Sequence, residues 1–420
     1  MALVRAASST QTEKFLSGSA RASRLRFIGN SEHHTNCKAA AMASQRRKSK
    51  RSKENDSPTV FSLFSGGGGL DLGLDAVGFH TAVATDIDFH SCISLAQLNS
   101  RARQLNHNRP ALIVKQDIRA LDPVAIAEAA DLRSGEISVL SGGPPCQAFS
   151  IFGKRRGMAD ARGTLAFEYL RVLKALNPET FLFENVFGLL TIDGGKLLEL
   201  IVDKLSRPAR GMRYEVSVLR LNSVNFGVPQ YRDRVFLIGT RIGKAVGTID
   251  SWTVGTTDLF AEDKPTYRIV RDALRGLPKI GNPDIANHTG REHSDRIIDR
   301  YRSLKPGERD PKTRINKLDL DKPSFTIIVG SDKGGGKGHV HPTEPREVTP
   351  RESARIQTFP DWWSFSGTSR HPIRQIGNAV PPLLAAAVGN AIATQTFGRR
   401  GITLMDAVQA LGQEHLFQRR

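Results

Sequence analysis

From Thr59 onward, short apolar runs alternate with stretches whose apolar residues recur at helical spacing, and each run predicts a buried strand. Residues 60–64 form the first, followed by the glycine loop Ser65-Gly66-Gly67-Gly68-Gly69 and a helix pattern through Leu70, Leu72, Leu74 and Val77. Residues 81–86 read as the second strand, with Asp86 at its carboxyl end. Residues 112–114, followed by Asp117, are the third, and residues 137–140, running into Ser141-Gly142-Gly143-Pro144-Pro145-Cys146, the fourth. Residues 181–183 and 235–238 supply two more. Strands separated by helices in this way predict an α/β fold, a mostly parallel sheet with helices on both faces. Such sheets bind ligands at the carboxyl ends of their strands, so the glycines at 66–69, Asp86, Asp117, Cys146 and Glu184 converge on one edge.

The alternation lapses twice. Residues 1–57 are rich in Ser, Ala, Arg and Lys and end in Arg46-Arg47-Lys48-Ser49-Lys50-Arg51-Ser52-Lys53; without apolar periodicity they predict a disordered basic tail that adds phosphate affinity. A transit or nuclear signal, or translation from Met42, are other readings of the same residues, which N-terminal mass spectrometry separates. Between Gly239 and Thr349 the chain is polar, basic and loop-rich, and residues 375–393 return to apolar spacing with a helix from about Leu383. The division expected is a tail at 1–57, a catalytic and cofactor-binding domain at 58–240, a smaller domain at 241–370, and a return to the first at 371–420, where Leu404, Val408 and Leu411 have helix-like spacing.

The 39% hydrophobic content supports a sizeable core, and no apolar run approaches the length of a membrane span. Sixty Lys and Arg against 42 Asp and Glu leave a formal charge of +18, which points to a polyanionic partner, nucleic acid. The three cysteines, Cys37, Cys92 and Cys146, show no zinc spacing. They argue against a metal or a disulfide framework and for a reducing compartment with a free thiol.

Chemistry concentrates at the predicted edge. Cys146 follows two prolines that limit its backbone, which suits a nucleophile. Glu184 sits at the tip of an apolar strand, where desolvation raises a carboxyl pKa, so that it can donate to a heterocycle nitrogen while Cys146 attacks a neighbouring carbon. Arg232 and Arg234 stand at alternate positions, able to hold Glu184 or a substrate carbonyl. The glycine loop with Asp86 fits a nucleoside cofactor, Asp86 accepting from ribose hydroxyls and Asp117 from an adenine amino group. No phosphate-cradling loop ending in Gly-Lys-Ser/Thr is present.

These residues resemble the DNA cytosine-5 methyltransferase family. The motifs occur in the family's order: Phe64-Ser65-Gly66-Gly67-Gly68-Gly69, Pro144-Pro145-Cys146-Gln147-Ala148-Phe149-Ser150, Glu184-Asn185-Val186, Gln230-x-Arg232-x-Arg234, Arg351-Glu352-Ser353-Ala354-Arg355-Ile356-Gln357-Thr358-Phe359-Pro360 and Gln375-Ile376-Gly377-Asn378-Ala379-Val380-Pro381. The resemblance implies a Rossmann-like S-adenosylmethionine-dependent sheet, with residues 241–370 as a target-recognition domain across a DNA cleft. It implies that Cys146 adds to C6 of a flipped cytosine and that Glu184 bonds N3 and the exocyclic amine. Arg234 would bind O2, Arg232 support the pocket, and the Pro145 carbonyl face the amine. The cofactor is expected at Phe64, Gly66, Gly69, Asp86, Ile87, Asp117, Leu165 and Asn378. Ile87 stands where many members have an aromatic residue, and Ala379 where some have serine.

Gln147, Ser150, Lys154 and Arg155 begin a loop expected to close on double-stranded DNA, with Gln230 and Thr326 as further DNA contacts. The glycine-rich stretch 334–338 resembles a recognition loop. The whole suggests a monomeric, cytoplasmic bacterial enzyme without metal or membrane, the modification partner of a restriction endonuclease. A tRNA methyltransferase is the alternative within the same chemistry, and a silent DNA-binding module the alternative outside it.

Overall fold

The computed structural model describes residues 57–104, 110–145, 165–252, 267–312, 314–327, 338–368 and 370–418. The strands are β1 (Thr59–Leu63), β2 (His80–Asp86), β3 (Leu112–Lys115), β4 (Val139–Gly142), β5 (Thr180–Val186), β6 (Glu215–Asn222) and β7 (Asp233–Thr240). They form one sheet in the order β3-β2-β1-β4-β5-β7-β6. The pairings from β3 through β5 are parallel, and β7 lies antiparallel to both β5 and β6. The mostly parallel sheet read from the sequence is therefore present. β4 begins two residues later than expected, β5 runs on through Glu184, and β6 was not foreseen. Its half-exposed residues mix Glu215, Ser217 and Arg220 among the apolar ones, so no continuous apolar run marks it.

Alternate residues of the central strands enter two separate cores. Val60, Val139, Leu182 and Phe236 face one, while Phe61, Leu140, Phe183 and Val235 face the other. A strand buried on both faces has no polar side, which is why these strands read as unbroken apolar runs. On the first face lie α1 (Gly69–Ala76), α2 (Phe89–Leu95) and α3 (Leu98–Gln104); on the second, α4 (Pro123–Ala129), α5 (Leu165–Leu176) and α6 (Lys196–Ser206). The remaining helices are α7 (Val270–Leu274), α8 (Asp295–Ser303), α9 (Pro350–Ile356), α10 (Arg370–Asn378), α11 (Pro382–Ala391) and α12 (Leu404–Ala410). All of these except α8 add buried side chains to the first core, α10 through Ile376. α8 packs Tyr301 on Ile315 and Val340 in a small core of its own.

The C-terminal return is locked to the start of the fold. α11 lies so close to α1 that a Cβ on Gly73 would fall 2.7 Å from the Ala386 nitrogen. Contrary to the expectation that no apolar run approaches the length of a membrane span, one stretch does. Residues Arg370–Thr396 are long and apolar enough to cross a membrane, with a window of mean hydropathy 1.4. That window is 83% buried inside the fold, so the apolarity serves the core.

Asp71, in the first turn of α1, is fully enclosed, and neither carboxylate oxygen has a hydrogen-bond partner among the described residues. It faces the hydroxyls of Ser62 and Thr81, and burial pushes its pKa from 3.8 to about 6. The folded state thus holds this proton more tightly than the unfolded chain does. The stabilisation is complete below 3.8 and is lost as pH rises through about 6, a change of about 3 kcal/mol. Asp71→Asn should remove that loss, so denaturant titrations from pH 4 to pH 7 should show the variant gaining on the parent protein. Parallel pH profiles would sink the assignment.

Candidate active site

The carboxyl edge of the sheet gathers residues far apart in sequence. β1 ends at Leu63 and enters the glycine loop through Phe64, whose φ of 54° is a left-handed value uncommon for a side chain of that size. Asp86, at the end of β2, ties this loop down: its Oδ2 accepts from Gly66 N and its Oδ1 from Asp88 N, both at 2.8 Å. Burial raises the Asp86 pKa, and the two backbone N–H groups oppose that rise. The neighbouring Ile87 is 64% exposed.

The glycines of the loop answer to different partners. Gly66 has open space around it, since a Cβ there would meet only the Phe64 carbonyl at 3.8 Å. Gly67 and Gly68 are closed off by protein: a Cβ would lie 2.9 Å from the Gln375 carbonyl at the first and 2.7 Å from the Trp363 ring at the second, and one on Gly69 would collide with the Val380 carbonyl. Trp363 also donates from Nε1 to the Gly67 carbonyl at 3.1 Å. Trp363 is itself held by Arg351, whose buried guanidinium donates to the carbonyls of Trp363 (2.6 Å) and Pro360 (3.0 Å). The sequence placed Arg351 in a motif without giving it this work, and Trp363 carried no signal.

Several of the residues expected at S-adenosylmethionine remain accessible. Half-buried Phe64 and exposed Ile87 offer apolar contact, Asp86 a carboxylate, Gly66 an unobstructed backbone and Asn378 an exposed amide, with half-buried Leu165 at the start of α5. The donor set fits the cofactor. Asp117 caps its own short helix through Arg119 N at 3.0 Å and pairs with Arg119 Nη1 at 3.2 Å, and its side chain stays 36% exposed.

Glu184 stands in β5 opposite Phe236 of β7. Because β7 runs antiparallel, its amino end lies at the edge where the parallel strands finish, and this delivers Arg234 to Glu184 in an ion pair of 2.9 Å. Burial raises the Glu184 pKa, while Arg234 and then Arg232 pull it down. Arg232 is fully buried, donates from Nη2 to the Gly377 carbonyl at 2.7 Å, and leaves Nε and Nη1 without a partner among the described residues. Burial, then the charge of Arg234, disfavours its cation, and Glu184 favours it.

The chain leaving β4 crosses this pocket. Gly143 has no room for a side chain, since a Cβ would lie 2.6 Å from Glu184 Oε2. Asn185 donates from Nδ2 to the Pro144 carbonyl at 3.1 Å, so the residue after Glu184 fixes the proline pair. Pro145 is exposed at the end of the described segment. Cys146, Gln147, Ser150, Lys154 and Arg155 lie outside the described residues, as does the glycine-rich stretch 334–337.

Two residues expected at DNA meet each other's segments. Gln230 is fully buried, its amide atoms unpartnered among the described residues, and its backbone pairs with Ser324 in a parallel bridge. Thr326 Oγ1 donates to the Tyr231 carbonyl at 2.7 Å. The region after β7 therefore returns to the Gln230–Arg234 segment itself.

Comparison with known proteins places this geometry. The family model described as C-5 cytosine-specific DNA methylase matches residues 59–394. The chain is 34% identical over 363 residues to the Type II methyltransferase M.PspPI of Psychrobacter sp., covering 80% of this chain and 78% of that one. It is 33% identical over 360 residues to the Type II methyltransferase M.Eco47II of Escherichia coli, covering 80% and 79%. Among solved structures it resembles a candidate DNA modification methyltransferase encoded within a prophage of E. coli, with a TM-score of 0.64, 27% identity, and coverage of 81% of this chain and 99% of that one.

Proposed function

The chain belongs to the C-5 cytosine-specific DNA methylase family, and from that premise we propose how this DNA cytosine-5 methyltransferase works. It acts on a cytosine flipped out of duplex DNA within a short recognition sequence, as the modification partner of a restriction endonuclease in the bacterial cytoplasm. The Type II relatives support the sequence specificity and the endonuclease partner. The observation that carries the chemistry is the Glu184–Arg234 ion pair beside the Gly143–Pro145 backbone.

C5 of cytosine is a weak nucleophile inside an aromatic ring. Attack of the Cys146 thiolate on C6 breaks the aromaticity and moves electron density to C5. Glu184, its proton favoured by burial, donates to N3 and so neutralises the charge that builds on the ring. Arg234 orients Glu184 and offers a remaining N–H to O2, and the Pro145 carbonyl accepts from the exocyclic amine. S-adenosylmethionine, held by Phe64, Gly66, Asp86, Ile87, Leu165 and Asn378, supplies an electrophilic methyl group when bound. Loss of the C5 proton to a base, with the N3 proton returning to Glu184, then restores the C5–C6 double bond and expels the Cys146 thiolate. The target atoms are covered in a stacked duplex, hence flipping.

Bisulfite sequencing of DNA from cells expressing the protein should reveal protected cytosines at one short motif. Complete conversion everywhere, or transfer of label from tritiated cofactor to tRNA alone, would overturn the assignment.

A further inference from the structure

We propose that Tyr231 and Phe325 form an aromatic shelf beside the base pocket, against which a DNA base face unstacked by flipping packs. The two residues come from segments ninety-odd positions apart that the fold zips together: Tyr231 N donates to the Ser324 carbonyl at 2.9 Å and Ser324 N to the Pro229 carbonyl at 2.8 Å. In this parallel bridge Gln230 and Ser324 are register mates, and both are buried. Side chains alternate along extended segments, and register mates share a side. Tyr231 and Phe325 are the residues that follow this buried pair on each segment. Tyr231 is 44% exposed and Phe325 40%.

A single exposed aromatic residue needs no explanation, but two exposed on adjoining, hydrogen-bonded segments offer apolar surface to a partner. The backbone is pinned from both sides, with Thr326 Oγ1 on the Tyr231 carbonyl at 2.7 Å and Ser324 Oγ on the Phe325 carbonyl at 2.8 Å. The rings are backed as well: Tyr267 meets Tyr231 edge-on at 6.3 Å, and buried His339 lies 6.2 Å from Phe325. Such a shelf loses little conformational entropy when something stacks on it.

Position and charge select the occupant. Three extended residues separate Tyr231 from Arg234, so the shelf stands within about 10 Å of the pocket by chain length alone. The protein's charge of +18 draws a polyanion to it, and aromatic planes accept the π-face of any base. The inference rests on the flipping mechanism proposed above.

The test uses the full-length protein on a duplex carrying the mapped site with 2-aminopurine at the target position, and on a duplex lacking the site. Tyr231→Ala and Phe325→Ala should each lower the flipping fluorescence and kcat by roughly tenfold to a hundredfold, Tyr231→Phe should restore them, and affinity for the site-free duplex should stay unchanged. Melting temperature and S-adenosylhomocysteine binding, read alongside, report the fold. An undiminished signal in both alanine variants overturns the shelf while leaving flipping intact. Equal losses on the two duplexes, or a change confined to self-association in sedimentation, also overturn it. A parent protein that gives no fluorescence rise removes the flipping mechanism and the shelf with it.

Discussion

Cys146→Ala should bind duplex DNA as the parent protein does and transfer no methyl group, a loss of at least roughly ten-thousandfold in kcat. The thiol is two residues beyond Pro144, whose carbonyl is held by Asn185, and three beyond Gly143, which lies against Glu184. That anchored backbone ends at Pro145, beside the Glu184 carboxyl group proposed to protonate the base. In the proposed mechanism covalent addition to C6 is what makes C5 reactive, so no neighbouring group replaces it. Phosphate contacts set most of the DNA affinity and do not involve the thiol. Tritium transfer and gel-shift titration on the same preparation check both halves. Unchanged turnover would refute the nucleophile, and equal loss of binding would make Cys146 a structural residue.

Glu184→Gln should lower kcat by roughly a hundredfold to ten-thousandfold, because an amide fills the space without supplying the proton. The sign of the pH effect follows from the environment. Burial raises the Glu184 pKa, and Arg234 and Arg232 restrain the rise, so the protonated form persists to higher pH than it would in water. Activity that needs this proton falls as pH passes the raised value, and the Gln variant should lack that limb. Arg234→Ala removes the largest restraint, so its falling limb should lie at higher pH than in the parent protein, on a lower overall rate. It should also cost about 3–5 kcal/mol of stability whenever the buried carboxylate is ionised without a partner. A Gln variant with the parent profile, or an Arg234→Ala limb moved to lower pH, would remove Glu184 as the proton donor.

Gly67, Gly68 and Gly69 show how a correct motif can carry an incomplete reason. The sequence read them as room for a cofactor to approach the backbone. The structure leaves open space beside Gly66, and packs the Cα positions of the other three against Gln375, Trp363 and Val380. No spacing rule could have revealed this, since the partners arrive about three hundred residues later. Asp117 shows the converse: an acid after a strand is legible, but its engagement with Arg119 depends on a short local helix.

By itself the sequence determined the alternating order of strands and helices, the edge where chemistry gathers, and the family, because burial on both faces writes unbroken apolar runs and because the motifs are local strings. The direction of β7 was beyond it. An apolar run reads alike in either orientation, yet only the antiparallel insertion brings Arg234 onto Glu184. The same holds for the bridge between Gln230 and Ser324, for the packing of α11 on α1 through Gly73, and for the apolar stretch that proved to be core. Each is a long-range pairing, decided by which surfaces the folded chain can bury together.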